Sequence, residues 1–177
     1  MLNSLRRRKR SLLFVLVVSI GCGSPKVDEA TPVHDHAEPV VVEADHVTAL
    51  PYLKVDTFNI LSKKKLRLTA KYNKENYGFD GYKLDTPRIV VVHYTAINKL
   101  ESTLNTFAPD QIAPSREYIK DFSSLNVGIH YVVDQDGKIL NLMPDTVVAR
   151  HVIGFNHVSL GIENVANDST DLTDAQL

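Results

Sequence analysis

The chain has 177 residues, enough for one ordinary domain with flanking segments. Its 20 basic and 21 acidic residues nearly balance, but five of the basic residues lie within the first ten positions. Beyond residue 21 the chain carries 15 basic and 21 acidic residues, a balance that does not favour binding to the phosphates of a nucleic acid. No nucleic-acid partner is therefore predicted.

The first 21 residues have the pattern of an export signal. Basic residues at positions 6–10 precede an apolar run at 12–20, which is too short to span a bilayer as a helix. The small residue Gly21 then precedes Cys22, the only cysteine of the chain. We predict a signal peptide over residues 1–21.

Cys22 has no second cysteine with which to form an internal disulfide, and its position favours lipidation. The segment Ser19-Ile20-Gly21-Cys22 resembles a bacterial lipobox, although leucine is more common at the first position. In lipoproteins of that type the cysteine becomes the acylated N-terminus, which anchors the protein to a membrane. The alternative is a secreted protein with an unmodified cysteine after its signal.

Residues 22–47 are predicted to form a flexible linker, and residues 48–177 a single domain. The linker contains scattered prolines and acids and little periodic apolar pattern. Within it, His34-Asp35-His36 offers side chains of the types that bind metals. A solvated linker is the simpler interpretation, because no rigid element orients those side chains.

The first helix of the domain is predicted to begin at Ser62 and to end at Gly78. Ser62 is a suitable N-cap, Leu66, Thr69 and Tyr72 follow at helical spacing, and glycine is a common helix stop. Three lysines at 63–65 add to a basic face. Such a face suits an acidic polymer, but an ordinary solvated surface is the default.

Strands and short helices alternate after this helix. A strand over 88–93, rich in β-branched residues, is predicted to be buried on both faces. Leu100, Leu104 and Phe107 predict a second helix, and a third is expected at 115–122. Strands are predicted at 129–134, 138–142 and 159–165, with a hairpin turn at Asp136-Gly137. The fold class is therefore α/β, with a central mixed β-sheet flanked by helices.

The last residues encode the start of another helix. Thr173 and Gln176 have the spacing of a capping box, and Leu172 and Leu177 that of a hydrophobic staple. Because the chain stops in the first turn of that helix, we expect the domain to be incomplete at its C-terminus, with its last helices missing.

Two polar residues lie where strands are predicted to end. His93 follows an apolar strand, although a lone histidine is more often packed or surface-exposed than functional. Glu163 shares one face of its strand with Gly161, and a glycine there lets a ligand approach the sheet closely. A carboxylate on a solvated sheet face is the alternative for Glu163.

Three segments together resemble the type-2 N-acetylmuramoyl-L-alanine amidases, a superfamily that includes phage lysozyme-like amidases and animal peptidoglycan recognition proteins. They are residues 91–96 (VVHYTA), 127–137 (VGIHYVVDQDG) and 150–163 (RHVIGFNHVSLGIE). Their order, spacing and turn positions agree with that family, and the resemblance covers about residues 85–177.

The resemblance implies a role for each matching residue. His93 corresponds to the first zinc ligand, and Glu163 to the acid that assists the zinc-bound water. His151 corresponds to a histidine of the substrate groove, and Arg150 and Asn156 are weaker groove candidates. His130 is assigned a structural role, and His157 a place in a loop.

The chain departs from the family pattern in two ways. Ile129 stands where some members have a catalytic tyrosine, which leaves Glu163 as the acid–base group. The other two zinc ligands of the family, a histidine and then an aspartate or cysteine, have no counterpart here and are expected beyond the end of this chain.

The resemblance implies a Zn²⁺-dependent hydrolase that cleaves the amide between N-acetylmuramic acid and L-alanine in peptidoglycan and its muropeptides. With the lipid anchor, this places the protein in a bacterial envelope, facing the periplasm from the outer membrane. One alternative is a peptidoglycan-binding module without a complete zinc site. A second is an unrelated α/β lipoprotein with chance motif matches.

Overall fold

The computed structural model describes residues 14–17, 53–120 and 122–177. Its strands form one mixed sheet in the spatial order β1-β3-β6-β4-β5-β2. The strands are β1 (Phe14–Val17), β2 (Val55–Thr57), β3 (Ile89–Tyr94), β4 (Tyr131–Val133), β5 (Ile139–Asn141) and β6 (Ser159–Asn164). The helices are α1 (Lys63–Tyr77), α2 (Leu100–Phe107) and α3 (Glu117–Lys120), with a 3₁₀ turn at Asn156–Val158. The predicted α/β class with a central mixed sheet is confirmed.

Helix α1 begins and ends where its sequence predicts. The Ser62 hydroxyl accepts a hydrogen bond from the Lys65 backbone N–H at 2.9 Å, and Gly78 ends the helix in the left-handed conformation at φ 77°. The expectation of an all-solvated basic face is wrong at Lys65, which is 1% exposed. Its ammonium donates to the carbonyls of Phe107 and Ala108, at 2.7 and 3.2 Å, and so caps the C-terminal end of α2.

The later elements also follow their predicted positions, with differences in length. The turn at Asp136-Gly137 joins β4 to β5, and Gly137 adopts φ 82°. Helix α2 is present as predicted, whereas α3 has four residues instead of eight. Strand β2 was not predicted, because three residues carry too little pattern to indicate a strand.

Strand β3 is not buried on both faces as predicted. Val91 is 1% exposed, whereas its neighbours along β3 are only half-buried. Val91 shares its face with the hydrophobic core. The other face, which carries Val90 and Val92, is not fully covered by the part of the chain that the structure describes.

The main core lies between the sheet and helices α1 and α2. Phe107 of α2 packs with Val132 of β4 and Leu140 of β5, and Leu66 of α1 packs against this cluster. In the register of the parallel pairs, Val132 lies beside Glu163, which lies beside His93. Both polar residues therefore share the face covered by α2.

The C-terminal turn closes one end of the sheet. Gln176 accepts the backbone N–H of Thr173 at 3.0 Å, which is half of the predicted capping box. The Gln176 amide also donates to the carbonyls of Val133 and Val165, at 3.1 and 3.2 Å, and so joins the ends of β4 and β6. The other half is missing because the Gln176 backbone N–H donates to the Thr173 carbonyl and not to the Thr173 hydroxyl, which itself donates to the Gln135 carbonyl.

The predicted targeting segments lie mostly outside the described residues. Strand β1 is the exception, since it falls within the predicted signal peptide and pairs in parallel with the first residues of β3. Cys22 and the linker are not described. Among the described residues, no helix combines the length and hydrophobicity needed to cross a bilayer.

Candidate active site

The carboxyl ends of β3 and β6 bring two of the predicted site residues together. The strands run in parallel, and His93 is the register partner of Glu163. Both side chains line a cavity of about 180 Å³ at this end of the sheet. His151 and Arg150 line the same cavity, as do Thr103 and Phe107 of α2. The sequence thus located four residues of one concave site.

His151 is in direct contact with His93. The His93 Nε2 and His151 Nδ1 atoms are 3.1 Å apart, and the two rings meet edge to face. The other nitrogen of His151 lies 3.2 Å from the buried Ser159 hydroxyl. Burial and the neighbouring imidazoles lower the pKa of His151 to about 3, and burial also lowers the pKa of His93. Both rings are neutral near pH 7, so one ring donates a hydrogen bond to the other.

His130 supports the sheet beneath this pair. Its Nδ1 accepts the Gly161 backbone N–H at 3.0 Å, so its Nε2 carries the proton and donates to the Val147 carbonyl at 3.0 Å. Both ring nitrogens are therefore engaged by the backbone. These contacts give His130 the supporting role predicted for it.

Gly161 is required for the close packing of His151. A β-carbon at this position would lie 2.5 Å from the Ile129 side chain and 2.8 Å from His151 Nδ1. The expectation that a ligand approaches the sheet beside Glu163 stays a prediction. The group that approaches the sheet in this structure is the imidazole of His151.

Glu163 is the acidic group of the cavity. Burial raises the pKa of its carboxyl to about 8, although the positive charge of Arg116 opposes that rise. A carboxyl with a pKa near neutrality can both accept and return a proton, which suits general acid–base chemistry.

The weaker groove candidates make mostly structural contacts. The Asn156 side-chain oxygen accepts the backbone N–H groups of His151 and Val152, both at 2.8 Å, and its amide donates to the Tyr72 hydroxyl. Asn156 is 1% exposed and is not part of the cavity wall. It positions the backbone of His151, and direct substrate contact by Asn156 remains a prediction.

Arg150 lines the cavity but is largely engaged within the protein. Its guanidinium donates to the carbonyls of Ile119, Ser123 and Leu125, and it lies over the Tyr72 ring. It therefore fixes the segment around α3. His157 lies outside the cavity wall, in the 3₁₀ turn against the Tyr77 ring.

Several cavity residues were not predicted from the sequence, and the polar residues Thr103 and Arg116 are among them. Thr103 lies three residues after Leu100 on the buried side of α2, so helical spacing could have placed it. Its hydroxyl is buried and has no hydrogen-bond partner among the described residues. Arg116 lies in an irregular segment just before α3, where the sequence has no periodic pattern to indicate which way a side chain points.

The described residues do not by themselves complete a zinc site. A structural or catalytic zinc needs at least three protein ligands. The described residues contain no group of three histidine, cysteine, aspartate or glutamate side chains placed to hold one ion. His130 cannot serve as a ligand in this arrangement, since both of its nitrogens are bonded to the backbone. Of the predicted ligands, only His93 lies in the cavity.

A family model for N-acetylmuramoyl-L-alanine amidases matches residues 83–177, more than half of the chain. The chain belongs to this family. The match contains β3, β6 and every named residue of the cavity. The amidase family is thus established for the part of the chain that carries the site.

Several solved structures are similar to this amidase-family chain. The amidase endolysin LysCS from Clostridium intestinale URNW is 20% identical with a TM-score of 0.43, over 70% of this chain and 65% of that one. A selenomethionine derivative of AmpD is 23% identical with a TM-score of 0.40, over 54% and 62%. PGRP-SA from Apis mellifera is 17% identical with a TM-score of 0.34, over 47% and 50%. The chain spans between half and two thirds of the length of these structures, and no curated protein matches it.

Proposed function

We propose that the protein hydrolyses the amide between N-acetylmuramic acid and L-alanine in peptidoglycan. The observation that carries this proposal is the register pairing of His93 with Glu163 in one cavity, beside the buried imidazole of His151. Membership of the amidase family supports the choice of reaction.

Glu163 is proposed to move the proton that amide hydrolysis requires. The attacking water must lose a proton, and the leaving amine must gain one. The raised pKa of Glu163 places its carboxyl near the ambient pH, where it can take the first proton and return the second. His151, held through Asn156 and Ser159, would contact the substrate from the adjacent wall.

We also propose that activity depends on Zn²⁺, with His93 as one ligand. The described residues supply no complete set of ligands beside His93. The metal content of the purified chain, measured by mass spectrometry with and without a chelator, tests this. A zinc content that is unchanged in His93→Ala would overturn this ligand assignment.

The catalytic role of Glu163 predicts a large effect of one substitution in any active form of the protein. Glu163→Gln preserves the shape but removes the base, so turnover should fall by about 10²-fold or more. The measurement is release of stem peptide from N-acetylmuramoyl-L-alanyl peptides, followed by chromatography. Glu101→Gln, on the exposed side of α2, is the control and should retain full activity. Near-normal release by the Glu163 variant would remove this residue from the mechanism.

The second candidate function is peptidoglycan binding without cleavage. It is favoured by the contact between His93 Nε2 and His151 Nδ1, because a nitrogen engaged in a hydrogen bond is not free to bind a metal. Muropeptide binding with no release of stem peptide, at any zinc concentration, would select this candidate. Cleavage would exclude it.

The envelope is the proposed location, with Cys22 acylated and the domain held on a linker. This rests on the sequence pattern alone, since Cys22 lies outside the described residues. Peptidoglycan lies between the membranes of such an envelope, so an anchor of this kind would keep the domain near its polymeric substrate.

A further inference from the structure

The cavity has two chemically different walls. The sheet wall carries His93 and Glu163, with His151 in contact with His93. The opposite wall comes from α2 and the segment before α3, and it carries Thr103 and Arg116. The proposed chemistry uses the first wall and leaves the second unexplained.

Arg116 supplies an unassigned positive charge on the second wall. No described side chain forms a salt bridge or hydrogen bond with its guanidinium, and the residue lines the cavity. Arg150, the other arginine of the cavity, is different because three backbone carbonyls already accept from it. Arg116 is therefore the better candidate for contact with a bound molecule.

Thr103 adds a hydroxyl without a partner to the same wall. The side chain is 0% exposed, and its oxygen forms no hydrogen bond with the described residues. A buried hydroxyl without a partner is unfavourable by itself and favours binding of a polar group. Thr106 also lines this wall, but its hydroxyl donates back to the Ser102 carbonyl. Of the two threonines of α2, Thr103 is therefore the one whose hydroxyl is free to donate a hydrogen bond to a bound group.

We propose that Arg116 and Thr103 form a subsite for a carboxylate on the peptide part of the substrate, and that this subsite determines specificity. A guanidinium and a hydroxyl are complementary to a carboxylate, and arginine can bind both of its oxygens at once. The inference rests on the proposed function, since it assigns one part of a muramoyl peptide to one wall of the cavity.

The test compares two ligands that differ only in charge. They are N-acetylmuramoyl-L-alanyl-D-glutamic acid and its diamide, in which both glutamyl carboxylates are carboxamides. Binding to the full chain is measured by calorimetry in the presence of a chelator, so that turnover does not interfere. We expect the acid to bind about tenfold more tightly than the diamide, the typical effect of a charge-assisted hydrogen bond.

Variants assign this preference to the two residues. Arg116→Gln should reduce the ratio of the two affinities to about 1, and Arg116→Lys should retain part of it because the charge remains. Thr103→Val should lower the ratio by about threefold, whereas Thr103→Ser should preserve it. Arg67→Gln, an exposed arginine of α1 outside the cavity, is the matched control and should leave the ratio unchanged.

The ratio of the affinities for the acid and the diamide tests the subsite independently of the proposed hydrolysis. The ratio compares an anionic ligand with a neutral ligand of the same shape, so it reports recognition of the carboxylates. An unchanged ratio in Arg116→Gln, or no binding of either ligand, would overturn the subsite. Release of stem peptide in a separate assay tests the reaction itself, so a charge preference without cleavage would contradict the proposed hydrolysis alone.

Discussion

The buried histidines and Glu163 have opposite effects on how the free energy of unfolding of the metal-free protein changes with pH. Burial lowers the pKa values of His93, His130 and His151, so the unfolded chain binds more protons than the folded one below about pH 6.5. The free energy of unfolding should therefore fall as the pH drops below that value. Glu163 has a raised pKa, so between about 4.5 and 8 the folded chain holds a proton that the unfolded chain has lost.

The raised pKa of Glu163 predicts that the difference in stability between Glu163→Gln and the unchanged chain grows with pH. Because the raised pKa makes folding less favourable as the pH rises towards about 8, Glu163→Gln should melt at a higher temperature than the unchanged chain at pH 8. At pH 4 the two should melt alike, since the carboxyl is then protonated in both states. Thermal melts in chelator from pH 4 to 9 measure this. Parallel curves over the whole range would contradict the burial of an ionisable carboxyl.

Thr103 predicts a substitution that stabilises the free protein. Its buried hydroxyl has no partner among the described residues, so Thr103→Val should raise the free energy of unfolding by about 1 kcal/mol. Thr106→Val is the matched control on the same helix. Its hydroxyl is hydrogen-bonded to the Ser102 carbonyl, so removing it brings no such gain. Denaturant unfolding of both variants provides the comparison, and a destabilised Thr103→Val would show that the hydroxyl is satisfied in solution.

At the scale of elements, Lys65 connects two helices through one side chain. Neighbouring lysines at 63 and 64 are exposed, whereas Lys65 is buried at the C-terminal end of α2 and donates to two of its last carbonyls. Burial lowers the pKa of Lys65 to about 8, against the attraction of Asp110. The contact stabilises α2, and α2 in turn forms a wall of the cavity.

The Lys65 contact predicts a clear difference between adjacent lysines. Lys65→Met keeps the apolar stem but leaves the buried Phe107 carbonyl without this donor, so it should lower the free energy of unfolding by about 1–3 kcal/mol. Lys63→Met changes only an exposed position and should stay within about 0.5 kcal/mol of the original chain. Chemical denaturation of the two variants measures the contrast. Equal stability of both would show that the α2 cap has no energetic importance.

Local signals were sufficient for the elements that have strong ones. The Ser62 cap, the Gly78 stop and the Asp136-Gly137 turn each depend on neighbouring residues, and all three occur as predicted. The burial of Lys65 could not be predicted, because it depends on where the end of α2 lies in space. The half-buried state of β3 could not be predicted for the same reason, because the residues that cover a face of the sheet are distant in the sequence.

At the scale of the whole molecule, the site was predictable only in part. The family resemblance identified His93, Glu163 and His151, and the parallel register of β3 and β6 brings the first two together. The opposite wall was missed, since Arg116 lies in an irregular segment and enters the cavity through tertiary packing. Arg150 was identified as a groove residue, but its contacts with three backbone carbonyls could not be read from the sequence.

The predicted anchor is also a property of the whole molecule. Cys22 follows directly after the apolar segment and should be acylated, so a fatty-acid analogue supplied to cells should label the protein. Cys22→Ala should abolish both labelling and recovery with membranes. Persistent labelling of this variant would contradict the assignment. Processing after Gly21 would also remove β1 and leave β3 as the edge strand of the sheet.

The two walls of the cavity are encoded in separate stretches of the chain. The reactive pair depends on the register of two core strands, whereas Thr103 and Arg116 belong to α2 and the surface segment that follows it. If the proposed subsite is present, a change in that segment would alter which peptide is accepted without disturbing the pairing of His93 with Glu163. Divergence of ligand preference among descendants of this chain should therefore concentrate between residues 100 and 126, and exchange of this segment between homologues offers a route to transplanting specificity.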